Sequence, residues 1–490
     1  MFDPEEIFKL MDERSPHAEE KKLIKKAFVF AQSAHEGQKR ASGDPYFLHV
    51  YETAKNLARF GMDSTTIAAG LLHDVVEDTD IKEKELEKEF GKEIVFLVNG
   101  VSKLGKLKYR GHERYVESLR KFFVAVAVDF RVLMIKLADR LHNLNTLEFV
   151  RKEKQKRIAQ EALEVYAPLA DRLGIGKVKG ELEDAAFPYV YPNEYQMVEE
   201  LISKKIYLTR QHLEKISDQL KKILKEHGIT ISKIDYRIKH KYSLYKKLLR
   251  YGMDIDKIHD LVALRIVVST IEQCYHVLGV IHGLWTPLPG RIKDYIALPK
   301  PNGYQSLHST IFTGKGEIAE VQIRTLEMHG IAEYGIASHS SYKQKKYEKK
   351  EITEKKFGWV EGLKELQKNV AEHGAYMKEL KMDFFNDRIF VFTPGGDVID
   401  LPEGSSPIDF AYAIHSDVGD HASGAKVNGK MVQLGHKLQN SDIVEIIKKK
   451  DSKPSSKWLD YTKTALAKRH IKSKTEGQGS LLSKFKLFGK

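Results

Sequence analysis

The sequence predicts a multidomain chain of α plus α/β class: a helical domain, then a mixed-sheet α/β domain, then a small β-rich domain carrying one helix. Three observations carry this reading. At 490 residues the chain exceeds what a single core accommodates. Apolar positions recur at helical spacing through residues 1–195, as in IAAGLLHDVVEDT and VLMIKLADRLHNLNTL. From residue 229 the texture shifts to β-rich runs broken by Pro and Gly.

Taken in order, residues 1–195 form the helical domain and 196–228 a helical connector that stops at Gly228. In 229–340 the runs DLVALRIVVS (260–269) and EIAEVQIRT (317–325) read as strands. A turn-rich segment with Pro287, Pro289, Gly290, Pro299, Pro301 and Gly303 separates them. A Lys/Glu-rich stretch, 341–383, is expected to be a helical linker. Across 384–447 short β runs alternate with turns at Thr393-Pro-Gly-Gly and Asn428-Gly429, with one helix near Pro407–His415. Residues 448–490 are set apart by charge as a basic tail, helical at first and ending in Gly/Ser-rich coil.

Composition narrows the setting. With 42% hydrophobic and 30% charged residues, the chain has the make-up of a soluble protein. Its apolar stretches, such as Phe122–Val128, are far too short to span a membrane. Asp3, Glu5 and Glu6 occupy the N-terminus in place of a basic-then-apolar leader, so the expected location is the cytoplasm. Cys274 is the only cysteine, which excludes an intrachain disulfide and a thiolate metal cluster. The tail holds 13 Lys/Arg against 3 Asp/Glu, so +10 of the formal +13 resides there and points to a polyanionic partner for that segment.

Two constellations carry chemistry. In Leu71-Leu-His-Asp-Val-Val-Glu-Asp-Thr79, helical spacing puts His73 with Glu77 and Asp74 with Asp78 on adjacent stripes among apolar neighbours. Asp139 stands in a helix apolar almost all round, where an ionised carboxylate needs an ion partner or a bound cation. His142 and Asn143 follow on the same side, and His49 comes from an earlier helix. Two His and two Asp suit a divalent transition ion such as Mn²⁺, leaving Glu77 and Asp78 to orient or deprotonate a water.

The second constellation lies in the α/β domain. Asp260 opens one strand-like run, and Glu320 lies in another, on one face with Gln322 and Arg324. Two carboxylates on neighbouring strands can hold Mg²⁺ against a triphosphate, and one can help deprotonate an attacking hydroxyl. Arg237, Lys239 and Lys247, with Ser243 among them, are suited to polyphosphate. Between the carboxylates, Lys300-Pro-Asn-Gly-Tyr-Gln-Ser-Leu-His308 presents Tyr304 as a stacking platform.

These strings resemble the Rel/SpoT family of (p)ppGpp synthetase/hydrolases. His49, His73-Asp74 and Asp139 are similar to the metal pattern of the HD phosphohydrolases, and His73-Asp-Val-Val-Glu-Asp-Thr79 resembles the Rel/SpoT form of it. GQKRASGDPYFLH (37–49) resembles the family's guanosine-contact loop. The resemblance implies that Arg40 stacks on the base with Ser42 near it, while Asn143 and Thr146 line the pocket. Ala41 and Asn145 depart from the pattern, standing where many relatives carry a basic residue. Residues 229–340 are similar to the family's synthetase domain, a relative of the nucleotidyltransferase fold. There the resemblance implies Mg²⁺ on Asp260 and Glu320, with Glu320 also serving the acceptor 3′-hydroxyl. Tyr304 would stack on guanine, Asn302 and His308 would lie nearby, and Arg237, Lys239, Lys247 and Lys300 would hold phosphates. Arg291-Ile-Lys-Asp294 resembles the basic signature of bifunctional members. Residues 387–447 are similar to a TGS domain of β-grasp, ubiquitin-like fold, with His415 at the position expected near a tRNA 3′ end. The implied substrates are ATP, GDP or GTP, and (p)ppGpp, and the implied partners are the ribosome and uncharged tRNA. The competing reading is a ribosome- or tRNA-associated regulator in which only the hydrolase site, or neither site, is active.

Overall fold

A short helix α1 (Pro4–Met11) opens the chain, followed by α2 (Ala18–Ala34) and α3 (Phe47–Arg59). The computed structural model describes residues 2–11, 17–102, 122–126, 128–258, 260–300, 302–314, 317–335 and 388–485. The chain divides into two units, Met1–Phe357 and Gly358–Lys490. The expected linker at 341–383 lies outside the described residues.

The first unit continues with α4 (Ser64–Leu72), α5 (Val75–Asp78), α6 (Glu83–Val101) and α7 (Arg131–Asn145). Asp63 caps α4 by accepting from the Thr66 N–H at 2.7 Å, which satisfies one orphan donor of its first turn. α3, α4 and α7 pack on one another, and Leu57, Ile67, Leu71, Leu137 and Leu141 on them are all buried. Gly70 lets α4 approach α3, since a Cβ there would meet Leu57 Cδ1 at 2.3 Å. α8 (Lys152–Glu161), a π-helical turn at Ala162–Tyr166, α9 (Ala167–Arg172) and α10 (Gly176–Val190) complete the helical part.

The expected connector is the C-terminal portion of one 35-residue helix, α11 (Pro192–Glu226), so the boundary near 195 falls inside a continuous element. It leads to a mixed five-stranded sheet built from β1 (Lys233–Ile238), β2 (Val262–Val268), β3 (Lys293–Asp294), β4 (Leu307–Gly314) and β5 (Glu317–Thr325), in the order β1-β2-β5-β4-β3. β2 runs parallel to β5 and the other pairs are antiparallel. α12 (Lys241–Arg250) follows β1, α13 (Ile271–Leu284) follows β2, and α14 (Leu326–Tyr334) follows β5. α13 lies in a stretch that the Pro/Gly signals downstream overshadow in the sequence; it buries Cys274, Val277 and Ile281 in this domain's core. The register divides the sheet. One face carries Leu264, Ile266, Val321, Ile323 and Leu307 into that core, and the other carries Arg237, Arg265, Glu320, Gln322 and His308.

The second unit has a hairpin of β6 (Arg388–Phe392) and β7 (Val398–Pro402), then α15 (Pro407–Ile414) and α16 (Ser416–Asp420). A three-stranded sheet follows, β8 (Ala422–Val427), β9 (Lys430–Val432) and β10 (Val444–Lys448), in the order β10-β8-β9. The segment that charge sets apart after 447 does not stand off from this unit. Trp458, Ala467 and Ile471, the last two on α17 (Ala465–Phe485), share a core with Ile408, Ala411, Tyr412 and Ala422. Asp409, fully buried, fastens the two segments. One of its oxygens accepts from the N–H and hydroxyl of Ser406, and the other from the N–H of Lys463 and from the N–H and hydroxyl of Thr464.

Candidate active sites

In the helical part, His73 and Asp74 interrupt the helix that the spacing predicts. α4 stops at Leu72 and α5 resumes at Val75, with Asp74 at φ −100°, ψ −5°. The break keeps His73 buried and leaves Asp74 half-buried, while Glu77 and Asp78 are exposed. The paired stripes therefore separate into an inner pair and an outer pair. His49 enters from α3 and Asp139 from α7, both buried.

The inner group is tightly assembled. One ligand atom each from His49, His73 and Asp74 lies within 4.8 Å of the others. His49 Nε2 stands 3.4 Å from Asp74 Oδ2 and 3.3 Å from Asp139 Oδ1. His73 Nδ1 lies 2.8 Å from the Gly70 carbonyl, an acceptor only, so in the neutral ring this nitrogen carries the proton and Nε2 the lone pair that a metal would use. That buried Nε2 has no hydrogen-bond partner and sits 3.2 Å from Asp74 Oδ2. Electron-rich atoms facing one another in a buried site are stabilised by a cation, and this mixed nitrogen and oxygen donor set fits a divalent metal. A proton fills that need in the metal-free chain. Burial opposes protonation of His73, but Asp74 and Asp139 outweigh it and push its pKa up to about 9. Burial likewise opposes ionisation of both carboxylates. His73 and His49 nevertheless hold Asp74, and Lys136 and His49 hold Asp139, well below the usual carboxylate range.

Around this centre, residues 38–46 form a hairpin closed by the Arg40 N–H on Asp44 O and the Tyr46 N–H on Gln38 O, both at 2.9 Å. Arg40 reaches from it to Asn143 Oδ1 at 2.7 Å, and Asn143 in turn donates to Asp139 Oδ1 at 2.5 Å. Thr146 bonds to the His142 carbonyl, and Ser42 to Asp44 within the hairpin. Arg40 and Asn143 are thus brought to the metal cluster, whereas Ser42 makes a local contact. Lys136, one turn before Asp139, supplies it with an ammonium at 2.9 Å, and Tyr46 touches both Asp74 and Asp78. Residue type singles out neither of these two; the only sequence signal is that Lys136 and Tyr46 each precede a candidate ligand by three positions.

On the sheet, Asp260 sits just before β2 rather than within it. Lys239 reaches one of its oxygens at 2.7 Å and Lys247 the other at 2.6 Å. Burial raises the Asp260 pKa, but these two ammonium groups overcome it and bring the carboxyl to about 2. Ala263 pairs with Arg237 on one side and Glu320 on the other, so the cation and the carboxylate flank one row of the polar face. Glu320 Oε1 accepts from Gln322 Nε2 at 2.9 Å and lies 3.3 Å from His308 Nδ1. Burial opposes its ionisation, yet His308 and Gln322 keep its pKa below the ordinary glutamate value. Tyr304 donates its hydroxyl to, or accepts from, His308 Nε2 at 2.7 Å, and Lys300 and Arg324 approach its ring at 5.2 and 5.7 Å. Arg324 is 1% exposed; one of its terminal nitrogens reaches Gln322 Oε1 at 3.5 Å and Glu333 lies near enough to attract it, but its Nε has no hydrogen-bond partner, which leaves the polar face with a buried donor suited to an anion. Burial, against the pull of Asp171, lowers Lys300 to about 8.

Two of the expected phosphate or nucleotide contacts are turned elsewhere. Ser243 donates to Glu183 of α10 at 3.0 Å, together with Lys246 at 3.2 Å. Asn302 donates to the Asp171 carbonyl at 3.2 Å. Both contacts join the sheet domain to the helical part. In the second unit His415 is exposed, at the junction of α15 and α16, and its Nδ1 accepts from the Asp417 N–H.

Comparison with known proteins gives three family matches: an HD domain over residues 27–176, the region found in RelA/SpoT proteins over 236–347, and a TGS domain over 389–448. A GTP pyrophosphokinase of Myxococcus xanthus is 46% identical over 454 residues, which is 92% of this chain and 60% of that protein. A guanosine-3′,5′-bis(diphosphate) 3′-pyrophosphohydrolase of Aquifex aeolicus is 45% identical over 469 residues, 96% of this chain and 66% of that one. The bifunctional (p)ppGpp synthase/hydrolase SpoT of Escherichia coli K12 is 40% identical over 452 residues, 92% of this chain and 64% of that one. The chain therefore spans about 60% to 66% of the length of these relatives.

Proposed function

The chain belongs to the Rel/SpoT family, and from that premise we propose that it both makes and degrades (p)ppGpp. It acts as a GTP pyrophosphokinase, moving the β,γ-pyrophosphate of ATP to the 3′-oxygen of GDP or GTP with loss of AMP. It also acts as a guanosine-3′,5′-bis(diphosphate) 3′-diphosphatase, returning GDP or GTP and pyrophosphate. The observation that supports the reading is that residues 1–357 hold two separate groups: His49, His73, Asp74 and Asp139 within contact of one another, and Asp260 near enough to Glu320 for the two charges to interact.

In the hydrolase site His49, His73, Asp74 and Asp139 would hold a divalent ion, for which Mn²⁺ suits the donors. When bound, that ion supplies Lewis acidity that makes water acidic enough to attack at neutral pH. Glu77 and Asp78, exposed beside the ligands, orient the water and take its proton. Arg40 stacks on the guanine, and Ser42, Asn143 and Thr146 line the nucleotide pocket. In the synthetase site Asp260 and Glu320 would hold Mg²⁺, which neutralises triphosphate charge. Glu320 accepts the proton of the attacking 3′-hydroxyl. Lys239 and Lys247, which neutralise Asp260 in this structure, stand with Arg237 and Lys300 as cations for polyphosphate. Tyr304 offers its ring to guanine, with Asn302 and His308 beside it; Ser243 would have to leave Glu183 to take part.

The TGS unit and its basic helix are the surfaces proposed for uncharged tRNA on the ribosome, with exposed His415 near the tRNA 3′ end. Because Trp458, Ala467 and Ile471 are core residues, truncation after Ile447 would confound a binding test. Replacing Lys468, Lys472 and Lys474 by Gln instead should weaken ribosome binding most at low salt. The enzymatic reading is tested by Asp74→Ala: metal binding and ppGpp hydrolysis should vanish while synthesis remains measurable. Hydrolysis retained with metal bound would mean other ligands.

A further inference from the structure

The chemistry above uses no part of Tyr46, yet its hydroxyl sits between an inner and an outer acid. The phenol oxygen lies 2.8 Å from Asp74 Oδ2 and 2.6 Å from Asp78 Oδ2. Its ring is held from several sides. His35, buried, stacks on it with centroids 4.7 Å apart and an interplanar angle of 21°. The Arg40 guanidinium stands 5.7 Å from the ring centroid. Gln38 ties the surroundings together: its Oε1 lies 2.8 Å from His35 Nδ1, and its Nε2 donates to the Asp78 carbonyl at 2.8 Å.

A phenol has one proton, and an ionised carboxylate only accepts, so the hydroxyl can satisfy Asp74 and Asp78 only by sharing. Asp74 Oδ2 is also the oxygen that faces His49 Nε2 and His73 Nε2, which makes it the oxygen presented to a cation. With Oδ2 engaged by a cation it would be a weaker acceptor, and the phenol's hydrogen bond would pass to Asp78. Asp78 is exposed and ends a four-residue helix, so little else in its own element fixes its carboxylate.

We propose that Tyr46 is a positioning residue of the hydrolase site: its hydroxyl holds Asp78 Oδ2 once Asp74 is engaged by metal, leaving Oδ1 directed to the attacking water. This rests on the hydrolase reading given above. It predicts a separation between turnover and metal binding that a merely structural tyrosine would not produce.

The test is Tyr46→Phe in the full chain, which keeps the ring and its stacking on His35. Steady-state ppGpp hydrolysis, calorimetric Mn²⁺ titration of nucleotide-free protein, and the thermal midpoint are measured together. The expected result is a kcat about 10- to 100-fold lower, with KM and Mn²⁺ affinity each within about threefold and the midpoint unchanged. In an Asp78→Asn background the same substitution should cost less than about twofold, since the carboxylate it acts on is gone. Gln38→Leu, which removes the side-chain ties to His35 and to the Asp78 backbone carbonyl but leaves both carboxylates' bonds to Tyr46, should lower kcat in the same direction by less. Full kcat in Tyr46→Phe would overturn the proposal. So would kcat and Mn²⁺ affinity falling together, or a loss that is fully additive with Asp78→Asn. If the unsubstituted chain binds Mn²⁺ but does not hydrolyse ppGpp, the hydrolase reading itself fails, and that result is distinct from the others.

Discussion

Asp139→Ala separates two roles that one carboxylate fills. Its side chain is nearly buried and serves the Lys136 ammonium at 2.9 Å, the Asn143 amide at 2.5 Å and His49 at 3.3 Å. Lys136 is itself only 12% exposed, and burial, which alone would lower its pKa, is outweighed by Asp139. Removing the carboxylate strands that ammonium, and breaking a buried pair in this way costs about 3–5 kcal/mol. For a cooperative unit of this size, with about 2–4 °C per kcal/mol, the thermal midpoint should fall by roughly 6–20 °C. Adding Lys136→Met removes the stranded charge and should recover most of that loss, while ppGpp hydrolysis stays absent because the metal ligand is still missing. Differential scanning calorimetry of the metal-free proteins reads the first effect, and hydrolysis with Mn²⁺ reads the second. The reasoning is refuted if Asp139→Ala shifts stability by less than about 1 kcal/mol, or if the double variant is no more stable than Asp139→Ala.

Further expectations bear on the other sites. Glu320→Gln keeps the shape but loses the base and a magnesium ligand, so synthesis should fall by at least about 100-fold while ppGpp hydrolysis continues; an assay with labelled ATP and GDP checks it. Lys300 is cationic below its lowered pKa of about 8 and neutral above it, so kcat/KM for synthesis should decline as pH rises through that value. Lys300→Arg keeps its charge and should move this alkaline limb upward; an unmoved limb would remove Lys300 from the phosphate contacts. Asp409→Ala leaves the N–H groups of Ser406, Lys463 and Thr464 without their acceptor; the buried Ser406 group costs about 1–3 kcal/mol, and the half-buried Thr464 and exposed Lys463 groups cost less. It should therefore lower the thermal midpoint of the C-terminal unit, read as loss of its Trp458 fluorescence signature at a lower temperature than in the unsubstituted chain.

What the sequence disclosed, and what it concealed, follows the range of the interactions. Asp139 and Asn143 were legible because their helical spacing is local and because a carboxylate in an apolar helix demands an explanation, whereas His73 and Asp74 stood out by residue type among apolar neighbours and not by the helical stripes predicted for them. The alternation around Glu320 likewise placed Gln322 and Arg324 on its face, as the register now shows. The break at His73–Asp74 was not legible, since the surrounding apolar spacing remains helical across it. Ser243 looked like a phosphate contact because it stands among lysines, but its partner Glu183 lies 60 residues earlier in the chain. Net charge concealed the packing of residues after 447. Trp458, Ala467 and Ile471 are widely spaced among lysines, and the Asp409 contacts to Lys463 and Thr464 span more than 50 residues.

The central claim, that one chain carries two opposed and separate activities, is tested most directly with a single preparation and two variants. Purified protein is incubated with γ-labelled ATP, GDP and Mg²⁺, and separately with 3′-labelled ppGpp and Mn²⁺, and labelled ppGpp and released pyrophosphate are quantified. Both reactions should proceed with the unsubstituted chain, only synthesis should persist in Asp74→Ala, and only hydrolysis in Glu320→Gln. Loss of both activities in either variant, or no labelled ppGpp from the unsubstituted chain, would contradict the account.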